Sequence, residues 1–288
     1  MISNSLNIND ATKFIKNELK ILYTSSEIQQ LIYIIFDHLL NFSKTDVHTK
    51  TDIILSKSNT NQLYYIIFLL KKEMPVEYIV GKTYFYNLIF NVSSDVLIPR
   101  PETEELADWI IKENKLNNLN ILDIGTGSGC IAVSLAKYIN DSHVDAMDIS
   151  KNAISIARLN AKRNDVKINF FINDILCLKN NSKKYKYNII VSNPPYVMEQ
   201  EKDVMKLNVL NFEPHEALFV PDDDPLIYYR SIINFAINNL DDNGIIYFEI
   251  NERFSVEITN LLIQMGFLNV IIRKDINNKF RFVKAMRN

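Results

Sequence analysis

Through residues 1 to about 73 the apolar positions recur at helical spacing. Phe14, Ile15, Leu19 and Leu22 form one stripe behind Asn9 or Asp10 as a cap. Ile28, Leu31, Ile32, Ile35, Phe36 and Leu39 form a second behind Ser25 or Ser26. A third stripe, Leu63, Ile66, Ile67 and Leu70, lies between about Asn61 and Lys72 and is stopped by Pro75. Pro75 is the first proline in the chain and no glycine precedes Gly81, so this stretch reads as a helical bundle with no cradle for a ligand. The pattern then turns β-rich. Tyr78-Ile79-Val80, Tyr84-Phe85-Tyr86, Leu88-Ile89-Phe90 and Val92 are broken at Gly81 and Asn87, which predicts a hairpin joining two domains.

From about Asn118 short apolar runs alternate with helical stretches. Strands are predicted near 119–124, 143–148, 167–172, 187–192, 244–250, 268–274 and 280–286. Helices are predicted over 102–116, 128–139, 150–163, 225–239 and 252–265. Such alternation describes a doubly wound α/β sheet with mostly parallel strands. Pro101 opens the first of these helices with carboxylates in its first turn, which suits both the steric rule and the dipole. Glu104 and Glu105 read as helix-start residues and nothing more. The stretch from Met198 to Asp224 is long for a loop, and loops of that length in compact domains are often functional.

Charge and cysteine usage narrow the classes. A net charge of -2 argues against a general affinity for nucleic-acid backbone. Two cysteines, Cys130 and Cys177, are too few for a disulfide framework or a thiolate zinc site, and both are expected reduced in apolar surroundings. Met1 to Ser5 carries no basic segment followed by an apolar core. The longest apolar run, Leu31 to Leu40, is interrupted by Asp37 and His38 and is too short to span a bilayer. A cytoplasmic protein is expected. His38 and His48 read as surface or interhelical residues, and His215 as a loop residue.

Two motifs carry chemistry. Ser192-Asn193-Pro194-Pro195-Tyr196 follows the apolar run Tyr187 to Val191, and its two prolines forbid the strand to continue. The result is a rigid loop at a strand's C-terminal end, where open α/β sheets bind ligands. Asn193 offers a side-chain carbonyl and Pro194 and Pro195 offer backbone carbonyls, while Tyr196 offers a flat ring. Such a loop suits a planar –NH2 group, although the same residues also read as an ordinary β-turn. The second motif, Asp123-Ile124-Gly125-Thr126-Gly127-Ser128-Gly129, lies between the first strand of the sheet and its helix. Glycines there let the backbone turn sharply and approach a ligand. Cys130 occupies the place of the third glycine of a dinucleotide motif, and no phosphate loop with its lysine is present. An acid ahead of the glycines, Asp123, suits a cationic ligand. Asp148 ends the second strand, where an acid accepts both ribose hydroxyls. At the third strand's tip Asp174 is placed to accept from an adenine amino group and Ile175 to cover the ring. With no phosphate loop, S-adenosylmethionine is the expected occupant, leaving as S-adenosylhomocysteine, with no metal.

The order of these motifs resembles the S-adenosylmethionine-dependent amino-methyltransferases. Within them the chain resembles the protein-(glutamine-N5) methyltransferases that modify class-1 peptide chain release factors. The likeness rests on Pro75 to Gly81, on Leu97-Ile98-Pro99-Arg100-Pro101-Glu102-Thr103-Glu104, and on the two motifs above. It extends to Glu213-Pro214-His215-Glu216-Ala217-Leu218, Phe248-Glu249-Ile250 and Phe280-Arg281-Phe282-Val283. It implies a Rossmann-like methyltransferase sheet of seven strands, mostly parallel with the last antiparallel. The implied domains are 1–74, a helical bundle for substrate recognition; 75–99, a β-hairpin linker; and 100–288, the methyltransferase domain. Three departures stand outside the two motifs: Pro221 to Pro225 with its three aspartates, Asn251 and Asn278 replace stretches or positions where the family commonly has glycine. Asparagine tolerates left-handed backbone, which suits such a replacement.

The expected reaction methylates the side-chain amide nitrogen of the glutamine in the release factor's Gly-Gly-Gln motif. Asn193 Oδ1 and the Pro194 carbonyl are the expected acceptors for the substrate –NH2, with Tyr196 packed on the amide plane and Pro195 holding the turn. A monomer is expected, with no stable nucleic-acid partner and no membrane. The nearest alternative, a DNA or RNA adenine N6-methyltransferase, would use the same loop on a flipped base. It is opposed by the net charge and by the Pro99 to Glu104 run. A non-catalytic cofactor-binding scaffold is opposed by the intact Asn193 to Tyr196 loop, and a dinucleotide oxidoreductase by Cys130.

Overall fold

The computed structural model describes residues 6–115, 118–178 and 186–288. Residues 1–5, and the end of the predicted helix at 116, lie outside the described residues. The chain divides into two compact units: residues 1–81 with 206–212, and residues 82–205 with 213–288.

The first unit is helical. It holds α1 (Ile8–Leu19), α2 (Ser25–Leu40), α3 (Lys44–Thr49), α4 (Lys57–Leu70), α5 (Val76–Val80) and a short helix at Leu207–Phe212. The predicted stripes are its core, with Ile15, Leu19, Ile32, Ile35, Phe36, Leu63 and Leu70 all buried. The first two caps differ from those predicted: Asn7 caps α1, and Thr24 caps α2 in a capping box with Glu27. The helix α4, for which no cap is predicted, starts behind Ser56. Leu22 lies past the end of α1 and is exposed. The helix α3, absent from the prediction, starts from a second capping box between Ser43 and Asp46. Val76–Val80, predicted as part of a hairpin, is a helix instead: Pro75 is its N-cap and Gly81, at φ 71°, ends it in the left-handed region.

The second unit is a seven-stranded sheet with helices on both faces. After the hairpin β1 (Lys82–Phe85) and β2 (Leu88–Asn91) come α6 (Pro101–Glu113), β3 (Asn120–Ile124), α7 (Cys130–Tyr138), β4 (His143–Asp148), α8 (Lys151–Arg163), β5 (Ile168–Ile172) and β6 (Tyr187–Ser192). Two short strands follow, β7 (Val197–Met198) and β8 (Phe219–Val220), and α9 names the helix at Leu207–Phe212. The unit ends with α10 (Ile227–Asn239), β9 (Leu240–Glu249), α11 (Ser255–Gln264), β10 (Phe267–Lys274) and β11 (Phe280–Arg287). The strand order is β10-β11-β9-β6-β3-β4-β5. The strands β9, β6, β3, β4 and β5 pair in parallel, and β11 runs antiparallel between β9 and β10. The predicted architecture of parallel strands with an antiparallel last strand therefore holds. The stretch from Met198 to Asp224, predicted as a loop, carries β8, α9 and two short 3-10 turns. Asn278 sits at φ 64° as a glycine substitute, whereas Asn251, at φ -72°, needs no such freedom.

The hairpin packs on the sheet unit: Phe85 and Phe90 are buried in its core, edge to face at 5.9 Å. One buried side chain fastens it. Asn160 Oδ1 accepts from the Asn91 N–H at 2.7 Å and from Asn91 Nδ2 at 2.8 Å. Asn160 Nδ2 donates to the Asn91 carbonyl at 2.9 Å and to the Ser128 carbonyl at 2.8 Å. The amide thereby uses both donors and both acceptor positions, and it ties the hairpin to the glycine turn. Asn160→Ala strands several buried polar groups and is expected to destabilise the protein by about 2–4 kcal/mol. A urea unfolding midpoint equal to the wild type's would contradict that role.

Candidate active site

The sheet reverses its order of growth between β3 and β6. Chain order runs β3, β4, β5 in one direction and β6, β9 in the other. The crevice at such a reversal, beyond the carboxyl ends of the strands, is where this architecture holds ligands. A cavity of about 380 Å³ opens there. Its walls come from the Ser94 to Arg100 stretch with Thr103, the glycine turn with the start of α7, the tip of β4 with the start of α8, the tip of β5, the loop after β6, the Pro214 to Ala217 stretch, and Tyr228 and Ile232 on α10.

The register fixes the neighbours. Ile124 pairs with Ser192, and Ser192 with Phe248, so the glycine turn and the Asn193 loop leave adjacent strand tips. Ser192 Oγ donates to the Ile124 carbonyl at 2.6 Å and clamps those two tips together. In the turn, Gly125 and Gly127 have φ of 72° and 54°, and a Cβ added to either would meet nothing within 4 Å. Thr126, Ser128, Asp148, Asp174, Ile175, Asn193, Pro194 and Pro195 join them on the cavity wall. Asp148 Oδ2 accepts from the Gly127 N–H at 2.8 Å and Oδ1 from the Ser150 N–H at 2.9 Å. Those bonds aim the carboxylate at the turn, and with the Ile149 N–H as a further donor they leave part of its roughly four-site acceptor capacity for a ligand. Burial raises the Asp148 carboxyl above its ordinary value. Asp174 Oδ1 accepts from the Leu176 N–H at 2.8 Å in a local turn.

Three predicted site residues are placed elsewhere. Asp123 lies beneath the turn, not on the cavity wall, and is fully buried. Its Oδ2 accepts from Thr126 Oγ1 at 2.6 Å and from the Ala132 N–H at 3.1 Å, while its buried Oδ1 has no hydrogen-bond partner. It shapes the turn from below. Gly129 also leaves the wall: at φ 81° it caps α7, and an added Cβ would meet Ala157 Cβ at 3.0 Å. Tyr196 turns away because the prolines redirect the chain. Its hydroxyl donates to Glu249 Oε1 at 3.0 Å and its carbonyl accepts from Asn251 Nδ2 at 3.2 Å. Its ring packs in the apolar core behind the loop, so it does not cover a ligand in the cavity.

The charges favour a cationic or neutral occupant. Among the described lining residues the acids are Asp95, Asp148, Asp174 and Glu216 and the one cation is Arg100. Arg100 is already engaged, donating to the buried Glu213 at 2.6 Å. Cys130 lines the cavity, but burial pushes its thiol up to about 12, so it offers no thiolate nucleophile. Cys177, predicted in apolar surroundings, is exposed in the turn that follows β5. No group of three or more His, Cys, Asp or Glu among the described residues has the arrangement to hold a metal ion. No helix among them is long and apolar enough to cross a membrane. His48 meets the Tyr33 hydroxyl at 2.8 Å, and His215 packs its ring on Phe219 at 5.2 Å.

Sequence reading had placed Thr103 and Glu249 only within quoted motifs. Both are buried, Thr103 at the cavity wall beside Asn193 and Glu249 behind it. Asn193 Nδ2 donates to Thr103 Oγ1 at 3.1 Å, and Thr103 Oγ1 donates to Glu249 Oε2 at 2.7 Å. Burial raises the Glu249 carboxyl, while the Thr103 and Tyr196 hydroxyls and the charge of Arg281 pull it back down. An acid inside an otherwise apolar strand, Tyr247-Phe248-Glu249-Ile250, was the available signal.

Comparison with known proteins gives these features a context. A family model described as a methyltransferase small domain matches residues 103–213. A release factor glutamine methyltransferase of Flavobacterium psychrophilum is 43% identical over 281 residues, covering 96% of this chain and 98% of its own. One from Bacteroides thetaiotaomicron is 42% identical over 280 residues, covering 97% of this chain and all of its own. Among solved structures, the T. thermophilus 16S rRNA N2 G1207 methyltransferase in complex with AdoMet and guanosine has a TM-score of 0.54. It is 15% identical and covers 72% of this chain and 50% of that chain, a likeness of fold alone.

Burial pushes the Asp123 carboxyl up to about 7, and the nearby Asp148 charge adds to the effect. The folded protein therefore holds that proton more tightly than the unfolded chain, whose aspartate titrates near ~3.9. The stability this contributes is complete below about pH 4 and is lost as the pH rises through about 7. Asp123→Asn keeps an acceptor for Thr126 and Ala132 without the charge. Its melting temperature relative to wild type is expected to rise between pH 4 and 8 in ligand-free protein. A difference that does not change with pH would contradict the burial of an ionisable group there.

Proposed function

The chain belongs to the release factor glutamine methyltransferase family, and from that premise we propose that it methylates the side-chain nitrogen of the glutamine in the Gly-Gly-Gln motif of class-1 release factors. The methyl donor in this reading is S-adenosylmethionine, which when bound supplies a methyl group on a positively charged sulfonium. The cavity's residues fit that group. Gly125 and Gly127 leave open space where side chains would intrude, and acids outnumber cations on the walls. Asp148 presents lone pairs for the ribose hydroxyls, while Asp174 and Ile175 stand at the neighbouring tip for the adenine.

The observation that carries the proposal is the orientation of Asn193. Its Nδ2 is turned inward to Thr103, so its Oδ1 is the atom left for a ligand. An amide nitrogen is a weak nucleophile because its lone pair is delocalised into the carbonyl. Asn193 Oδ1 and the Pro194 carbonyl would accept hydrogen bonds from its two N–H groups, orient the nitrogen and stabilise the positive charge that grows on it as the N–C bond forms and the donor's S–C bond breaks; the nitrogen then gives up one proton to solvent. Dipoles fixed in advance are the larger part of such stabilisation, and alignment supplies the rest. Pro195 holds the turn. Tyr196 serves from behind as an anchor, in place of the stacking role expected of it. No metal enters this account. The helical unit would contribute to gripping the release factor, in line with the family resemblance. We place the reaction in the cytoplasm, carried out by a monomer with no stable nucleic-acid partner.

Asn193→Ala is expected to abolish transfer while leaving cofactor affinity within about twofold of wild type. Near-wild-type turnover in that variant would overturn the assignment. Asp148→Ala is expected to weaken cofactor binding by about 1.5–3 kcal/mol, read by isothermal titration, and an unchanged dissociation constant would contradict it. Labelled cofactor, offered with a release factor and DNA side by side, should mark the release factor only. Label on DNA would favour the adenine reading.

A further inference from the structure

Behind Asn193 lies a chain of hydrogen bonds whose direction is set at its far end. Glu249 is buried at the tip of β9, and its two oxygens face two hydroxyls: Thr103 at 2.7 Å on Oε2 and Tyr196 at 3.0 Å on Oε1. The two hydroxyls and the charge of Arg281 favour the ionised form against the effect of burial, and an ionised carboxylate only accepts, so in that form both hydroxyls donate to it. Thr103 has one hydroxyl hydrogen. With that hydrogen committed to Glu249, Thr103 Oγ1 can only accept from Asn193, at 3.1 Å. The Asn193 amide must then turn its NH2 inward and its oxygen outward. The opposite orientation would set an acceptor against an acceptor in a buried site.

The geometry points to Thr103 and Glu249 as positioning residues that lock the polarity of Asn193, so that the loop presents an acceptor and admits only a side chain bringing N–H donors. The inference deepens the reading of Asn193 as the amide acceptor and rests on it. Thr103 reaches the cavity wall beside Asn193 and Glu249 does not, and their effect on the acceptor passes through Asn193. Glutamine brings two such donors to the acceptor, whereas a carboxylate in its place brings none. The lock is also well braced. Thr103 lies in the first turn of α6, which starts at Pro101. The Tyr229 hydroxyl on α10 donates to the Glu249 carbonyl at 3.0 Å. Arg281 on β11 donates to the next carbonyl, that of Ile250, at 3.1 Å and brings a cation near the buried acid.

Three substitutions separate a lock from mere packing. Thr103→Val keeps the shape and removes the hydroxyl. Thr103→Ser keeps the hydroxyl. Glu249→Gln replaces one acceptor oxygen by an NH2 donor, so the two hydroxyls are no longer both compelled to donate and the direction of the chain is released. Thr103→Val and Glu249→Gln are expected to lower kcat for a Gly-Gly-Gln peptide by about 10- to 100-fold, with cofactor affinity within about twofold of wild type. Thr103→Ser is expected to recover most of the loss. A second readout needs no substrate. In protein labelled with 15N-asparagine, the Asn193 side-chain amide signal, assigned by its disappearance in Asn193→Asp, is expected to be protected from solvent exchange in wild type and not in Thr103→Val.

Transfer by Thr103→Val at the wild-type rate would overturn the lock, as would a Thr103→Ser variant as impaired as Thr103→Val. An Asn193 amide that exchanges freely in wild type would overturn it too. A protected amide in an enzyme that transfers nothing to the peptide would leave the lock standing and sink the functional reading instead.

Discussion

A buried carboxylate costs on the order of several kcal/mol to desolvate unless donors and a cation surround it. Glu249 is such a group, and much of the site is arranged around satisfying it. Its oxygens draw Thr103 from α6 and Tyr196 from the loop after β6, and Arg281 stands by from β11. Satisfying the acid thus fixes where the helix start, the loop and the last strand meet. It also decides which face of Asn193 is free. The structural debt of one side chain becomes the chemical polarity of another.

The other half of the crevice repeats the device. Asp123, buried under the glycine turn, gathers the Thr126 hydroxyl and the first turn of α7. Asp148 gathers Gly127 from the side. The turn is therefore held from beneath by one acid and from the next strand by another, while its glycines leave open space above. Glu249 supports one half from behind and Asp123 the other from below, and neither of these two lines the cavity. Ser192 joins the two halves through its bond to the Ile124 carbonyl.

How much of this was legible in the sequence follows from the range of the interactions. The strands of the sheet were readable because their period and their flanking turns are local, and the predicted and observed strands agree to within a few residues. The glycine turn and the Pro194-Pro195 break were readable for the same reason. Local preference misled at Val76–Val80, where β-branched residues fold as a helix between a proline cap and Gly81. Side-chain direction was the harder matter. Nothing near Tyr196 announces that its hydroxyl will seek Glu249, 53 residues away. Thr103 reaches the same acid across 146 residues, so no spacing rule finds the pair. Asp123 was read as a ligand contact because an acid ahead of the glycines suits a cationic ligand; only its bonds to Thr126 and to the first turn of α7 show that it points down.

The central claim is that this crevice presents fixed acceptors to a glutamine amide. The most direct measurement is tandem mass spectrometry of the release factor's Gly-Gly-Gln peptide after incubation with the enzyme and S-adenosylmethionine. The account predicts one added methyl group, localised to the side-chain nitrogen of that glutamine. An unmodified glutamine, or a methyl group on any other residue of the peptide, would contradict it.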